Sequence, residues 1–287
     1  MAVRCVLFIL CAVWSAGNVT GTEPTLLRVQ PRKGMSYAFD VVNSSTQVMT
    51  LMGREIANDI TSKARVSVVV SDATLDRSTL TCSVSHARTS LSSRGANEVA
   101  LDKDTTFEFP QFDGSAIVAV ISKTGSVLST TFDQATPAGV FAASLRFFDR
   151  IFPDLPQNEL SVGDSWTSSR RDSALAGNNS GLIISNIRLK HTFRGVKDTL
   201  GVACWFIETV ATAFDQEGSL TMNDMAMTLD GQGTLIQRTF LERGTGMAVL
   251  SSGDVTTQLQ MSITGQQAVV VPVDTHLSFT IRRKGTE

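Results

Sequence analysis

The chain has 287 residues, with 25 Lys and Arg against 27 Asp and Glu, a formal net charge of −2 and 42% hydrophobic residues. Such a length is enough for one large or two smaller domains with a substantial core. Charge this balanced and interspersed leaves out the basic footprint that nucleic acid or an anionic membrane requires, so no nucleic-acid partner is expected.

In chain order, the first element is a secretory signal peptide over residues 1–21. Met1-Ala2-Val3-Arg4 is a positive n-region, Cys5 to Trp14 an unbroken apolar run, and Ser15 to Gly21 a stretch of mostly small residues. The apolar run falls short of the roughly 20 residues of a spanning helix. Cleavage after Gly17 or after Gly21 satisfies the small-residue rule, whereas lipidation at Cys11 is disfavoured by Leu10 before it. The mature chain is therefore expected to be exported, periplasmic or extracellular, with no integral membrane segment. Without Arg4 it carries 24 bases against 27 acids.

The mature chain alternates. Val66, Val68 and Val70 mark one strand; Leu80, Cys82 and Val84, alternating with Thr81, Ser83 and Ser85, mark the next. Ile117–Ile121 is a short continuous apolar run of the buried-strand kind. From Thr136-Pro137 to Phe152-Pro153 the period turns helical, with Thr136 as N-cap and Pro137 at the first helical position. Phe141, Leu145, Phe148 and Phe152 share one face of that helix, widened by Val140, Phe147 and Ile151. Two readings fit this stripe: a helix packed on a sheet core, or a lid over a ligand cavity. Alternation then resumes through Val255, Thr257, Leu259, Met261 and Ile263, through Val269–Val271, and through Leu277, Phe279 and Ile281. Asp113-Gly114, Thr124-Gly125, Asp230-Gly231 and Ser252-Gly253-Asp254 supply turns.

The two sides of the helix resemble each other. Lys33-Gly34-Met35-Ser36-Tyr37 aligns with Val162-Gly163-Asp164-Ser165-Trp166, Asp76–Cys82 with Asp198–Cys204, and Ile121–Val127 with Val249–Val255. Offsets that differ by only a few residues argue for a duplicated β unit. The expected organisation is a first β repeat over 22–134, a helical connector over 135–156 and a second β repeat over 157–287. The expected fold is mainly β: a duplicated antiparallel unit forming a large barrel, half-barrel or two-sheet sandwich, with one inter-repeat helix.

Chemistry is sparse. Gly163-Asp164-Ser165 has the look of a serine-hydrolase block, and Asp274-Thr275-His276 of a late acid–histidine pair. Yet Thr167 stands where a nucleophile elbow needs its second glycine, and Ser36 fills the same place in the first half with neither Asp nor His patterning around it. Ser165 therefore reads as a turn residue entering a strand. Cys82 and Cys204 occupy matching strand positions, open either to a disulfide between the halves or to two buried thiols; mid-strand placement favours the thiols. Scattered Cys and His give no metal-ligand spacing, and no glycine-rich phosphate loop is present, so neither metal nor cofactor is expected.

The signal peptide, the Gly-x-x-aromatic strand start, the helix, and the second start Val162-Gly163-Asp164-Ser165-Trp166 after Leu155-Pro156 resemble a family of uncharacterised bacterial exported proteins and lipoproteins. That resemblance implies export and a β fold, and no activity. At the level of shape alone, the pattern is similar to periplasmic lipoprotein-carrier half-barrels with a helical plug. The reading that follows is a non-enzymatic exported protein whose sheet holds a lipid or other apolar small molecule near Phe141, Leu145, Phe148 and Phe152. A scaffold or surface-interaction module with a filled core is the alternative, and a serine hydrolase using Ser165 a remote one.

Overall fold

The computed structural model describes residues 23–51, 53–95, 105–110, 116–132, 147–176, 181–222, 225–264 and 269–285. The first group of strands is β1 (Ser36–Leu51), β2 (Arg54–Ala73), β3 (Arg77–Gly95), β4 (Thr105–Glu108), β5 (Ala116–Ser122) and β6 (Val127–Phe132). A short helix, α1 (Phe147–Ile151), follows. The second group is β7 (Ser165–Ala176), β8 (Gly181–Thr199), β9 (Val202–Met222), β10 (Met225–Glu242), β11 (Ala248–Thr264) and β12 (Val269–Arg283). Residues 1–21, assigned to the signal peptide, lie outside the described residues, as do Phe141 and Leu145 of the expected lid.

All these strands form one antiparallel sheet, in the order β6-β5-β3-β2-β1-β12-β11-β10-β9-β8-β7, with β4 paired to the distal half of β3. The first and last strands meet in the middle, where β1 and β12 pair from Phe39↔Arg283 to Met49↔Val273. The order ends at β6 on one side and at β7 on the other, so the sheet is open. Among the architectures the alternation allows, this hydrogen bonding is that of a mainly β half-barrel or sandwich, not of a closed barrel.

Alternation sets which face is which. Tyr37, Phe39 and Val41 of β1, Val66, Val68 and Val70 of β2, and Leu80, Cys82 and Val84 of β3 are all buried in one cluster. That cluster defines the inner face. On β11, Val255, Thr257, Leu259 and Met261 are half-buried, while Thr256, Gln258 and Gln260 are exposed, as expected from the sequence. Strand length is where expectation falls short. β2 runs for 20 residues and β9 for 21, far beyond the usual five or six. The extra length is polar, as in Asn58–Lys63, and is held by ladder hydrogen bonds to neighbours rather than by apolar burial. Tight turns make those ladders possible. Leu200 and Gly201 both take positive φ, 55° and 76°, between the paired Thr199 and Val202. This is the type I′ geometry whose twist matches an antiparallel hairpin.

Because β6 and β7 do not pair, something else must hold the ends of the sheet together. The segment before β1 does so. Thr25 and Leu160 exchange backbone hydrogen bonds of 2.8 and 3.0 Å, Val29 N–H donates to the Lys123 carbonyl at 2.9 Å, and Gln30 N–H to the Thr245 carbonyl at 2.8 Å. The chain after α1 joins in, with Leu155 N–H donating to Thr124 at 2.7 Å. Leu27, Val29, Phe152, Leu155, Leu160 and Met247 fill the space thus enclosed, all buried. One end of the inner face is therefore sealed by irregular chain whose backbone groups are paired, as burial requires.

Gly246 lets two of these layers touch. Its φ is +68°, and a Cβ there would collide with the carbonyl oxygen of Arg28. Gly201 has a similar φ but open space around it. Gly201→Ala is expected to cost only the left-handed backbone term, about 1–2 kcal/mol. Gly246→Ala adds a backbone collision and is expected to cost about 3 kcal/mol or more. Urea unfolding of the two variants checks the difference.

Candidate functional site

Tertiary contacts hold α1 in place. Phe147 meets Phe39 of β1 edge-to-face, ring centroids 5.5 Å apart, and Phe148 packs on Phe147 in the same manner. Ile151 is fully buried. The helix end is captured by polar groups: the Arg150 carbonyl, one of the last acceptors without an intrahelical partner, receives Gln237 Nε2 at 2.7 Å and Ser251 Oγ at 2.6 Å. Gln237, Thr239 and Ser251 are themselves buried on β10 and β11. Asp149 reaches the other way, to Arg170 of β7 at 3.6 Å.

Between α1 and strands β1, β2, β3 and β5 lies a cavity of about 260 Å³. Its apolar wall is Val41, Val66, Val84, Ile117, Phe147 and Phe148. The space exists because of a β-bulge. Lys63 pairs with Arg88 and Arg65 with Ser85, so His86 and Ala87 together oppose Ala64 alone. His86 adopts φ 53°, an uncommon conformation for a residue with a side chain. The extra residue switches the inward positions of β3 from even (Leu80, Cys82, Val84) to odd (Ala87, Thr89). At the switch the two inward side chains, Ala64 and Ala87, are both small, and the cavity opens above them. A wider, charged groove of about 570 Å³ backs onto the same bulge and is lined by Asp40, Lys63, Arg65, His86, Arg88 and Glu108.

Polar groups stand one row further along the strands. Asn43 pairs in register with Ser62, and Ser62 with Thr89, so the three lie side by side across β1, β2 and β3. Ser62 Oγ and Thr89 Oγ1 are 2.9 Å apart. Arg150 Nη1 donates to Asn43 Oδ1 at 2.6 Å, and its guanidinium lies 4.6 Å from the Phe279 ring centre. A half-buried cation is thus oriented at the edge of an apolar chamber.

The expected lid residues distribute themselves as follows. Phe148 lines the cavity; Phe152 is buried beside Gly125 in the sealed end, away from it. Phe147 lines the cavity from a position that only widened the predicted stripe, and Arg150, which the sequence did not single out, lines it too. Helical spacing gave no hint of Arg150, because its role comes from Asn43 and Phe279, more than 100 residues away in the chain.

Ser165 is where a turn would put it. Gly163 N–H donates to Phe193 O at 2.8 Å, Asp164 N–H to Ser161 O at 3.1 Å, and Phe193 N–H to Asp164 O at 2.9 Å. The first strand start repeats the scheme with Gly34 to Val70 at 2.8 Å, Met35 to Arg32 at 3.1 Å and Val70 to Met35 at 2.9 Å. Both glycines have positive φ, 98° and 85°. Ser165 Oγ pairs with Thr192 Oγ1 at 3.0 Å, and Asp164 accepts the Ser161 N–H at 2.8 Å, both exposed. His276 is on β12, five strands from β7, and contacts Asp254 at 3.9 Å. Cys82 and Cys204 are free, buried thiols. Six strand steps separate them, and Cys204 alternates with the core residues Trp205 and Ile207, so it faces away from the side that Cys82 occupies. Among the described residues no three His, Cys, Asp or Glu gather as metal ligands, and no helix is long and apolar enough to cross a membrane.

One polar cluster had no sequence signal at all. His191, buried on β8, shares hydrogen bonds with Ser168 Oγ through Nε2 at 2.9 Å and with Thr209 Oγ1 through Nδ1 at 2.8 Å. Trp166 stacks on its ring at 5.2 Å and donates Nε1–H to the Asp154 carbonyl at 2.6 Å. Both ring nitrogens are satisfied by hydroxyls, and no carboxylate orients the imidazole as a general base would need. The cluster is a polar tie across β7, β8 and β9.

No family model matches this chain, and no curated protein does. Among solved structures, Pseudomonas aeruginosa OccK7 (OpdD) overlaps 88% of this chain and 99% of its own, at 5% identity and a TM-score of 0.27. A DUF1329 family protein from Desulfovibrio piger overlaps 86% and 87%, at 10% identity and a TM-score of 0.15. Pseudomonas aeruginosa OpdK with vanillate overlaps 87% and 99%, at 7% identity and a TM-score of 0.16. None of these overlaps carries an argument about function.

Burial pushes the His191 pKa down to about 4, with Arg170 adding to the fall and Asp154 opposing it. The unfolded chain protonates this histidine near pH 6.5, the folded one only near 4. The unfolded state thus binds more protons between those values, and stability falls as pH drops from 6.5 toward 4. Between pH 7 and 4.5 the loss from this group is expected to be about 2 kcal/mol. His191→Gln should flatten that part of the stability–pH curve, measured by urea unfolding at each pH.

Proposed function

We propose that this protein is a non-catalytic, exported binder of a lipid or other apolar ligand, which it holds in the cavity between α1 and the inner face of β1, β2, β3 and β5. The observation that carries this reading is the cavity itself. Interiors normally close-pack, and a space of about 260 Å³ with a wall of Val, Ile and Phe is what apolar ligand pockets are made of. Ala64 and Ala87 keep it open at the bulge, where larger side chains would have filled it. The charged-to-apolar sequence of the N-terminal 21 residues supports export, and an exported carrier has a clear use for a sheltered apolar site.

Filling the cavity separates binding from folding. Ala64→Phe puts a ring into the empty space, so bound ligand should fall at least about tenfold while stability changes by less than about 1.5 kcal/mol. Mass spectrometry of organic extracts from the purified full-length protein, wild type against Ala64→Phe, measures the first, and thermal unfolding the second. A wild-type protein that purifies with no apolar molecule and ignores hydrophobic dyes returns the chain to the scaffold reading.

A further inference from the structure

The apolar cavity and the charged groove lie on opposite faces of one sheet, yet they share a border. Val41, Ala64, Ala87 and Phe109 line both, as do the exposed Lys63 and Arg88. Neighbouring strands run about 4.8 Å apart and are stitched by hydrogen bonds, so a molecule crosses from face to face only where the ladder is interrupted. The interruption is at the bulge. On the β2 side, Lys63 pairs with Arg88 and Arg65 with Ser85, so His86 and Ala87 share Ala64. On the other side β3 changes partner: Arg77–Ser83 pairs with β5 and Arg88–Leu91 with β4. Among the described residues, the stretch between, Val84–Ala87, is joined on that side by one backbone bond, Phe109 N–H to the Ala87 carbonyl at 2.9 Å.

Backbone held by few ladder bonds opens locally at the least cost. Here the side chains at the gap are also small: Ala64 and Ala87 offer only methyl groups, and the half-buried Phe109 is the one ring that lines both spaces. The near end of the inner face gives no such opening, because Thr25–Gln30 and Leu155–Leu160 close it with paired backbone. Resting on the apolar-binding reading above, we infer that the ligand enters and leaves the cavity through this gap beside β3, from the outer face of the sheet. The groove is its vestibule, and Phe109 is the side chain that narrows the passage. The bulge then supplies both the empty volume and the way into it.

Stopped-flow fluorescence of the full-length protein with 1-aminoanthracene, a neutral apolar probe that brightens on leaving water, tests the route. Val42 lines the groove and not the cavity. Val42→Trp should slow association and dissociation by the same factor, at least about fivefold, and leave Kd within about twofold, because a passage sets rates and not the bound state. Gln258→Trp, at an exposed position on β11 that borders neither space, should leave both rates as they are. Phe109→Ala should raise the association rate at least about fivefold, whereas loss of a mere contact with bound probe raises dissociation alone. Probe that binds the wild type, is lost in Ala64→Phe, and associates at the wild-type rate with folded Val42→Trp and Phe109→Ala overturns the passage and leaves the apolar-ligand reading standing. A wild-type protein that binds no probe overturns that reading, and the passage with it.

Discussion

A single open sheet has an inner face that must be covered by something other than a second sheet, and this constraint organises the molecule. Two devices meet it among the described residues. Irregular chain on either side of the strands, Thr25–Gln30 and Leu155–Leu160, seals one end through backbone hydrogen bonds to the β5–β6 and β10–β11 turns. Helix α1 covers the region beyond. Its hold is both apolar and polar: Phe147 sits against Phe39 of β1 with Phe148 packed on it, and the Arg150 carbonyl is captured by Gln237 and Ser251 of β10 and β11. The helix thereby ties the two groups of strands together across a face that the β1–β12 pairing joins only along its middle.

The cavity follows from how that cover fits. An α-helix laid on a pleated surface leaves no space when the side chains beneath it are large. At the β2–β3 bulge they are Ala64 and Ala87, and the inward positions change parity, so the cover and the sheet do not meet. One added residue in β3 thus does two things. It produces the empty volume, and it brings Thr89 to the inward side, beside Ser62 and Asn43. Bulges commonly re-aim side chains next to functional sites. Here the re-aimed row is the one that faces Arg150.

Much of the fold is readable from the residues. Alternation located parts of β2, β3, β11 and β12 and assigned their faces, because a side-chain period of two leaves no choice once one face is buried, while β5 showed as a continuous apolar run. The two Gly-x-Ser-aromatic starts were read as turns, and both make the same hydrogen bonds, Gly34 to Val70 and Gly163 to Phe193. Strand length was not legible. Asn58–Lys63 and Thr212–Glu217 carry no apolar alternation, and ladder pairing with the neighbouring strands keeps them extended. The candidate site was half legible. Phe148 stood out by helical spacing; Arg150, Asn43 and Ala87 did not, since their significance comes from being brought together and from the bulge that sets their direction. His191 was equally silent, a lone histidine whose partners Ser168 and Thr209 arrive from two other strands.

By itself, the sequence determined the class of the fold, the faces of its alternating strands and the places where β1 and β7 begin, because these depend on the order of neighbouring residues. Tertiary structure alone decided how the strands are ordered, that Cys82 and Cys204 face opposite ways, and that an apolar space closes against a cation. Those outcomes depend on register, and register is a property of pairs of strands that no local run of residues contains.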